Sequence, residues 1–276
     1  MRASILVVSV GPIKASDNDC RVDRGDSVVN RYSGVVTMSL LISFIDQKFY
    51  PAYEANWDDK LLRSRILSLL DKDKSVLDLG AGAGIVSEMD FRGFAKRVCG
   101  VDLDPRVVSN PLVDEGRVAD ASGIPYAENL FDLVFADNVV EHLDDPAAVF
   151  SEVRRVLKPG GIFIFKTPNR SHYMPLIARY TPHRFHQFVN RIRGRAEVDT
   201  FPTRYRANGA TAIIDLSKSI RFDVRGLERI EGRPEYLRMF AFSYIFGLVY
   251  EKIVNSHAIF SRFRILIIAT LQKPCD

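Results

Sequence analysis

The chain has few cysteines, a single tryptophan and no long apolar run, and the cysteines and the apolar runs each exclude something. Its three cysteines, Cys20, Cys99 and Cys275, stand far apart and are odd in number. They offer neither metal-ligand spacing nor a disulfide framework, so a reducing cytoplasm is the expected setting. No stretch of 18 or more residues is apolar throughout. The longest uncharged run of the C-terminal part, from Met239 to Tyr250, is too short to cross a bilayer. The excess of positive charge is also small. A formal net charge of +4 does not by itself point to nucleic acid. The opening "MRASILVVSV" has one arginine before a short apolar run, but no convincing cleavage site follows. No internal repeat is present.

With 276 residues, 47% of them hydrophobic, the chain has the material for one domain with elaborations. Residues 11–37 are polar, mixed in charge and without period, so 1–37 is expected to be a poorly ordered extension. The folded domain is expected to span 38–276, opening with "MSLLISFIDQKFY". Apolar residues then recur at helical spacing over 58–70. Short apolar runs follow that read as strands: 75–80, 97–102, 116–120, 131–137 and 162–168. A helix is expected at about 146–157, capped by Asp144 or Asp145 with Pro146 at its first position, and broken by the "PGG" at 159–161. Beyond an irregular stretch at 169–207 come a helix at about 208–218 capped by Asn208, a strand at 222–232, an apolar helix within 235–255 and a last strand at 264–273. Strands spaced by helices imply right-handed crossovers and a parallel sheet covered on both faces.

In such a sheet ligands sit beyond the carboxyl ends of the strands. After the first strand comes "GAGAG", Gly80 to Gly84. The dinucleotide fingerprint G-x-G-x-x-G needs a glycine three residues after Gly82, and Ile85 stands there, which argues against a dinucleotide oxidoreductase. After the second strand comes Asp102, suited to accept from a ribose diol. After the third come Asp120 and Ala121, and after the fourth Asp137 and Asn138. Four such features at successive strand ends outweigh the reading of plain turn glycines and helix caps.

The stretches "VLDLGAGAG", "GVDLDP" and "RVADASGIPYAENLFDLVFADNVVEHLDDPAAVFSEVRRVLKPGGIFIFKTPN" resemble a class I S-adenosylmethionine-dependent methyltransferase, of the broad group that includes ubiquinone- and menaquinone-pathway enzymes. The resemblance covers about residues 60–170. It implies an α/β, Rossmann-like sheet of seven mostly parallel strands with the last antiparallel. It implies S-adenosylmethionine as cofactor, with Asp78 and the Gly80-Ala81-Gly82-Ala83-Gly84 loop at its methionine end. Asp102 would meet the ribose hydroxyls, Leu103 the adenine face, Asp120 and Ala121 the adenine amino group, and Asn138 with the Asp137 backbone the methionine amino group.

The resemblance leaves the acceptor open. Candidate catalytic groups are Glu141 and His142 in "NVVEH", and His172 just past the fifth strand. Relatives that bind a divalent metal carry E-x-x-E-H at that place; here Asn138 replaces the first acid, and no metal is expected. The segment 169–207 reads as an inserted lid rich in arginine and aromatics. Arg191, Arg193 and Arg195, with His183 and His186 sharing a helix face, are its candidate substrate contacts. That chemistry favours an anionic small-molecule, sugar, or lipid- or carrier-linked acceptor. RNA is the competing anion, but the motif of amino-methylating nucleic-acid enzymes is replaced by "NVVE". A cofactor-binding protein without turnover is the remaining alternative. The apolar helix near 236–254 is expected to be buried in the fold or in a homodimer, with docking on a membrane surface as the other reading.

Overall fold

The structure is a computed structural model, and it describes residues 40–53, 56–180, 203–238 and 240–275. The extension 1–37 and the substrate candidates His183, His186, Arg191, Arg193 and Arg195 lie outside the described residues.

Seven strands form one sheet: β1 Ser75–Leu79, β2 Arg97–Asp102, β3 Glu115–Val118, β4 Phe131–Asp137, β5 Leu157–Pro168, β6 Asp223–Ile230 and β7 Leu266–Gln272. Their order across the sheet is β3-β2-β1-β4-β5-β7-β6. β1 to β5 pair in parallel, and β7 runs antiparallel to both β5 and β6. The expected seven-stranded arrangement is therefore present, antiparallel last strand included. β1 and β4 lie at the centre, and their apolar runs are buried on both faces, as a covered parallel sheet requires. The helices are α1 (40–49), α2 Trp57–Leu67, α3 Pro146–Val156, α4 Tyr173–Tyr180, α5 Ala210–Ser219 and α6 Ala241–Ser256.

One face of the sheet is covered by α3 and α5, which bring Phe150, Val153 and Ile213 against Phe163 and Phe165. The opposite face receives Leu62 and Ile66 of α2. In α3, Val149, Phe150, Val153 and Val156 make one buried stripe, each side chain worth roughly 1.5–3 kcal/mol on removal from water. Of the two acids before it, Asp145 is the cap, accepting from the Ala147 and Ala148 N–H groups at 3.0 and 3.1 Å.

Four expectations are corrected. First, the crossovers from β1 to β2 and from β2 to β3 are not α-helices but loops with single 3-10 turns, Ser87–Met89 and Pro105–Ser109. Met89 and Phe91 enter the core where a helix would have lain, and Phe91 meets Phe135 edge-on at 5.1 Å. The carbonyls of Glu88 and Asp90, with no helical ladder to join, accept from Arg63 of α2 at 2.5 and 2.7 Å. Second, the "PGG" turn lies inside β5 rather than before it. Leu157 pairs with Phe131, the register then shifts, and Ile162 pairs with Leu133. Gly160 takes φ +78° at that irregularity. Third, Asn208 does not cap α5. Gly209 precedes the helix, and Asn208 is buried, donating to the Thr167 hydroxyl and to the Pro168 carbonyl. Fourth, α6 begins only at Ala241 and buries one stripe, while Phe242, Ile245, Phe246, Val249 and Ile253 face outward.

Candidate active site

Every described residue that the sequence singled out sits at the carboxyl ends of the parallel strands. β1 runs into Gly80 to Gly84, where Gly80, Gly82 and Gly84 have φ of +86°, +50° and +72°. Side chains rarely adopt this left-handed region, and three turns of that hand fold the loop back over the sheet end. The Gly80 N–H donates to the Val101 carbonyl at 2.8 Å, which ties the loop to β2. The Gly82 N–H donates to Asp102 Oδ2, also at 2.8 Å. Asp102 Oδ1 accepts from the Asp104 N–H. One carboxylate thus fixes two loops, and its remaining lone pairs face the cleft, where a ribose diol would donate. Leu103 beside it is 62% exposed, an apolar platform of the kind a purine ring covers.

β3 ends at Val118, two residues earlier than the sequence suggested, so Asp120 stands in the following loop. Its carboxylate accepts both the Ser122 hydroxyl and the Ser122 N–H, which hold its pKa below the ordinary value. It is therefore an ionised acceptor at the cleft. β4 delivers Asp137 and Asn138. Asn138 takes φ +54°, an uncommon setting for a residue with a side chain, held by its N–H on the Lys166 carbonyl and its amide on Asp137 Oδ1.

Asp78 lies under the loop, buried. Burial first, and then the nearby Asp137 and Asp102 carboxylates, push its pKa well above the ordinary range. A buried carboxyl so surrounded is stabilised by any cation brought to the site, and a sulfonium with an ammonium group is such a cation. No Cβ intrudes at Gly80, whose missing side chain leaves room against Val139. The donors, acceptors and apolar platform thus fit an amino-acid-bearing nucleoside.

A cleft of about 780 Å³ runs from Gly80, Asp102, Leu103, Asp120 and Asn138 to a second group that includes Glu141, His142, His172, Tyr173, Glu231 and Tyr236. Glu141 is buried, and its Oε2 accepts the Thr167 hydroxyl at 2.9 Å. Burial outweighs that bond and raises its pKa to about 7. His142 lines the same cleft wall.

His172, expected as a base, does not have the form of one. Its Nδ1 accepts the Met174 N–H at 3.2 Å, so the neutral ring carries its proton on Nε2. Burial lowers its pKa to about 3. Its Nε2 stands 3.6 Å from Glu231 Oε2 and makes no hydrogen bond among the described residues. His172 is thus a neutral, buried group in the wall of the cleft, with Nε2 turned toward Glu231. Glu231 is itself raised to about 8, by burial first and by Glu251.

Sequence reasoning missed four supporting residues. Asn110 binds the Ala81 and Gly82 carbonyls through Nδ2 and the Leu112 N–H through Oδ1, clamping the glycine loop. Lys166 of β5, fully buried, is salt-bridged to Asp137 and Asp58 at 2.9 Å each and to Asp59. Glu231 and Tyr236 come to the cleft from beyond α5. Asn110, Glu231 and Tyr236 leave no periodic or spacing signal. Lys166 alone left one, an isolated charge inside an otherwise apolar strand.

A sheet ordered 3-2-1-4-5-7-6 with an antiparallel penultimate strand, a glycine loop after β1 and an acid at the end of β2 defines a class I S-adenosylmethionine-dependent methyltransferase domain. Residues 77–165 match the family described as "Methyltransferase domain". Among curated proteins it is similar to a Mycolicibacterium smegmatis protein named "Probable S-adenosylmethionine-dependent methyltransferase", with 37% identity over 40% of this chain and 43% of that one. It is similar to the malonyl-[acyl-carrier protein] O-methyltransferase of Hahella chejuensis, with 35% identity over 34% of this chain and 36% of that one. It also resembles the ubiquinone biosynthesis O-methyltransferase of Thiobacillus denitrificans, with 36% identity over 38% of this chain and 49% of that one. The chain thus spans less than half the length of each of these relatives. The fold is shared with Haemonchus contortus phosphoethanolamine N-methyltransferase 2 in complex with S-adenosyl-L-methionine, at TM-score 0.51 and 20% identity over 85% of this chain and 60% of that one. No helix among the described residues is long and apolar enough to cross a membrane.

Proposed function

We propose that the protein moves a methyl group from S-adenosylmethionine to a hydroxyl of a small-molecule or lipid- or carrier-linked acceptor. The observation that carries this reading is the continuity of the cleft from Asp102, past Asn138, to Glu141, His172 and Glu231. The bound cofactor would supply an already activated methyl carbon. Asp102, Leu103 and Asp120 would hold its nucleoside, and Asp78, Gly80 to Gly84 and Asn138 its amino-acid end. His172, neutral and buried beside Glu231, would shape the wall against which the acceptor lies. Glu141 would take the hydroxyl proton as the new carbon–oxygen bond forms. Two relatives named as O-methyltransferases support an oxygen acceptor.

Recognition of an anionic acceptor would fall to Arg191, Arg193 and Arg195. In the described cleft wall Arg204 is paired with Asp144 at 2.9 Å and Arg233 with Glu235 at 2.5 Å. Carboxylates outnumber cations there, which favours a neutral methyl-accepting group with any anionic part placed toward the arginine segment.

Two measurements test the reading. Radiolabelled methyl transfer into a cell extract, fractionated by molecular class, should label a small-molecule or lipid fraction. Label confined to RNA would overturn it, and cofactor binding with no label in any fraction would support a non-catalytic binder. With the acceptor in hand, the rate should rise with pH through about 7 and level off, because Glu141 accepts a proton only when ionised. Glu141→Gln, which still accepts from Thr167, should lower the rate about 100-fold and flatten that limb. A variant within a few-fold of the parent rate at every pH would remove Glu141 from the mechanism.

A further inference from the structure

α6 carries two apolar stripes and only one can be core. Ala241, Tyr244, Gly247 and Val254 are buried, while on the other side Phe242 is 74% exposed and Phe246 58%. Ile245, Val249 and Ile253 continue that outer stripe. α1 packs beside α6 through Ile45, Tyr50, Tyr244 and the partly buried Leu248. It too turns apolar side chains outward, with Leu40 66% and Phe44 56% exposed. The 3-10 turn Ala258–Phe263 after α6 adds Ile259. Singly exposed apolar residues are ordinary, but this many on adjoining elements mark a contact surface.

The charges on these elements say what the surface contacts. Both acids are turned inward. Asp46 accepts from Arg238 and Tyr244, and Glu251 is buried against Asn255 at 2.7 Å. The exposed charges, Lys48, Lys252 and Arg262, are all positive, Lys252 standing 3.3 Å from the buried Glu251 carboxylate. Lys48 lies over the Phe44 and Phe49 rings, 5.6 and 5.4 Å from their centroids, with its stem along the apolar face. An apolar stripe rimmed by cations is the pattern of an element lying in an anionic lipid interface. A second copy of the same face would bring like charges together with no exposed acid on these elements to meet them.

We propose that the outer face of α1 and α6 docks on the surface of an anionic lipid bilayer. The inner side of α6 gives the docking its consequence. Tyr250 meets His172 edge-on at 5.3 Å and Tyr173 at 4.7 Å, and both of those residues line the acceptor end of the cleft. One helix therefore separates the acceptor end from the bilayer, and an acceptor dissolved in lipid would enter beside it. The docking itself does not depend on the methyl-transfer reading, because it is measured without turnover.

The test is co-sedimentation of the full chain with vesicles of phosphatidylcholine alone and of phosphatidylcholine with phosphatidylglycerol. The protein should pellet with the anionic vesicles and less so as salt rises. Phe242→Glu with Phe246→Glu should weaken that partitioning about tenfold or more, with an unchanged melting temperature and unchanged S-adenosylhomocysteine affinity by calorimetry. Lys48→Glu with Lys252→Glu, which keeps the apolar stripe, should weaken it severalfold on the anionic vesicles. No pelleting with either vesicle would overturn the proposal. So would equal pelleting of the double phenylalanine variant, or a dimer that this variant dissociates while the parent ignores vesicles.

Discussion

Gly80→Ala should weaken binding of S-adenosylmethionine or S-adenosylhomocysteine by more than about 100-fold, the equivalent of about 2.7 kcal/mol. A Cβ there would lie 2.3 Å from Val139 Cγ2, on a backbone at φ +86° that side chains rarely adopt. Val139 is β-branched and stiff, so the loop must move instead. That movement would strain the bond from the Gly80 N–H to Val101 and shift the whole turn. Gly82→Ala is the control. Its Cβ would meet only Asp102 Oδ2 at 3.8 Å, so the cost is the left-handed conformation itself, about 1–2 kcal/mol or roughly tenfold. Calorimetry on both variants separates the two effects. Gly80→Ala with Val139→Ala should recover part of the lost affinity. Equal losses at the two glycines would show that hand of turn, rather than room against Val139, is what the loop requires.

Lys166→Met should destabilise the protein by about 3–5 kcal/mol at pH 8, because it strands three carboxylates around a buried site. The pH dependence identifies the cause. Asp137 is pushed to about 6, by burial first, even with Lys166 beside it. A carboxyl raised in this way favours the fold below its unfolded value of 3.8, and the advantage is lost as pH rises through about 6. Without the lysine, Asp59 and Asp137 protonate more readily still, so the penalty should shrink toward pH 4–5. Urea unfolding at the two pH values measures it. A loss independent of pH would mean that packing alone, not charge, is at stake. Cofactor affinity should fall with stability, since Asp137 and the Lys166 carbonyl both hold Asn138 in place.

The sequence made the sheet legible because its central strands are mostly apolar runs, and their ends mark the cofactor side without knowledge of pairing. The first two crossovers were not legible in the same way. The stretch from Gly80 to Lys96 alternates small, apolar and charged residues without helical period, and it folds only because Phe91 finds Phe135 and Arg63 finds two carbonyls. Those partners come from other elements, so no local reading contains them. The same holds for Asn110, whose role depends on lying against a loop nearly thirty residues earlier. His172 was visible as a histidine in the right place, yet its tautomer is set by one backbone N–H two residues on. Glu231 was hidden in a strand-like run and becomes part of the cleft only because β6 reaches that end of the sheet.

The placement of β7 between β5 and β6 bears on how the chain is made. β5 can pair with β4 as soon as both exist, but its other edge waits for residues 266–272, about a hundred positions later in synthesis. β6 has no neighbour in the sheet until the same strand arrives. Through that interval two strand edges stand open, and an open edge is a template for another chain. Stop codons or nicks before Leu266 should therefore yield aggregates rather than a smaller working domain, and the emerging chain is the state in which a chaperone has most to protect.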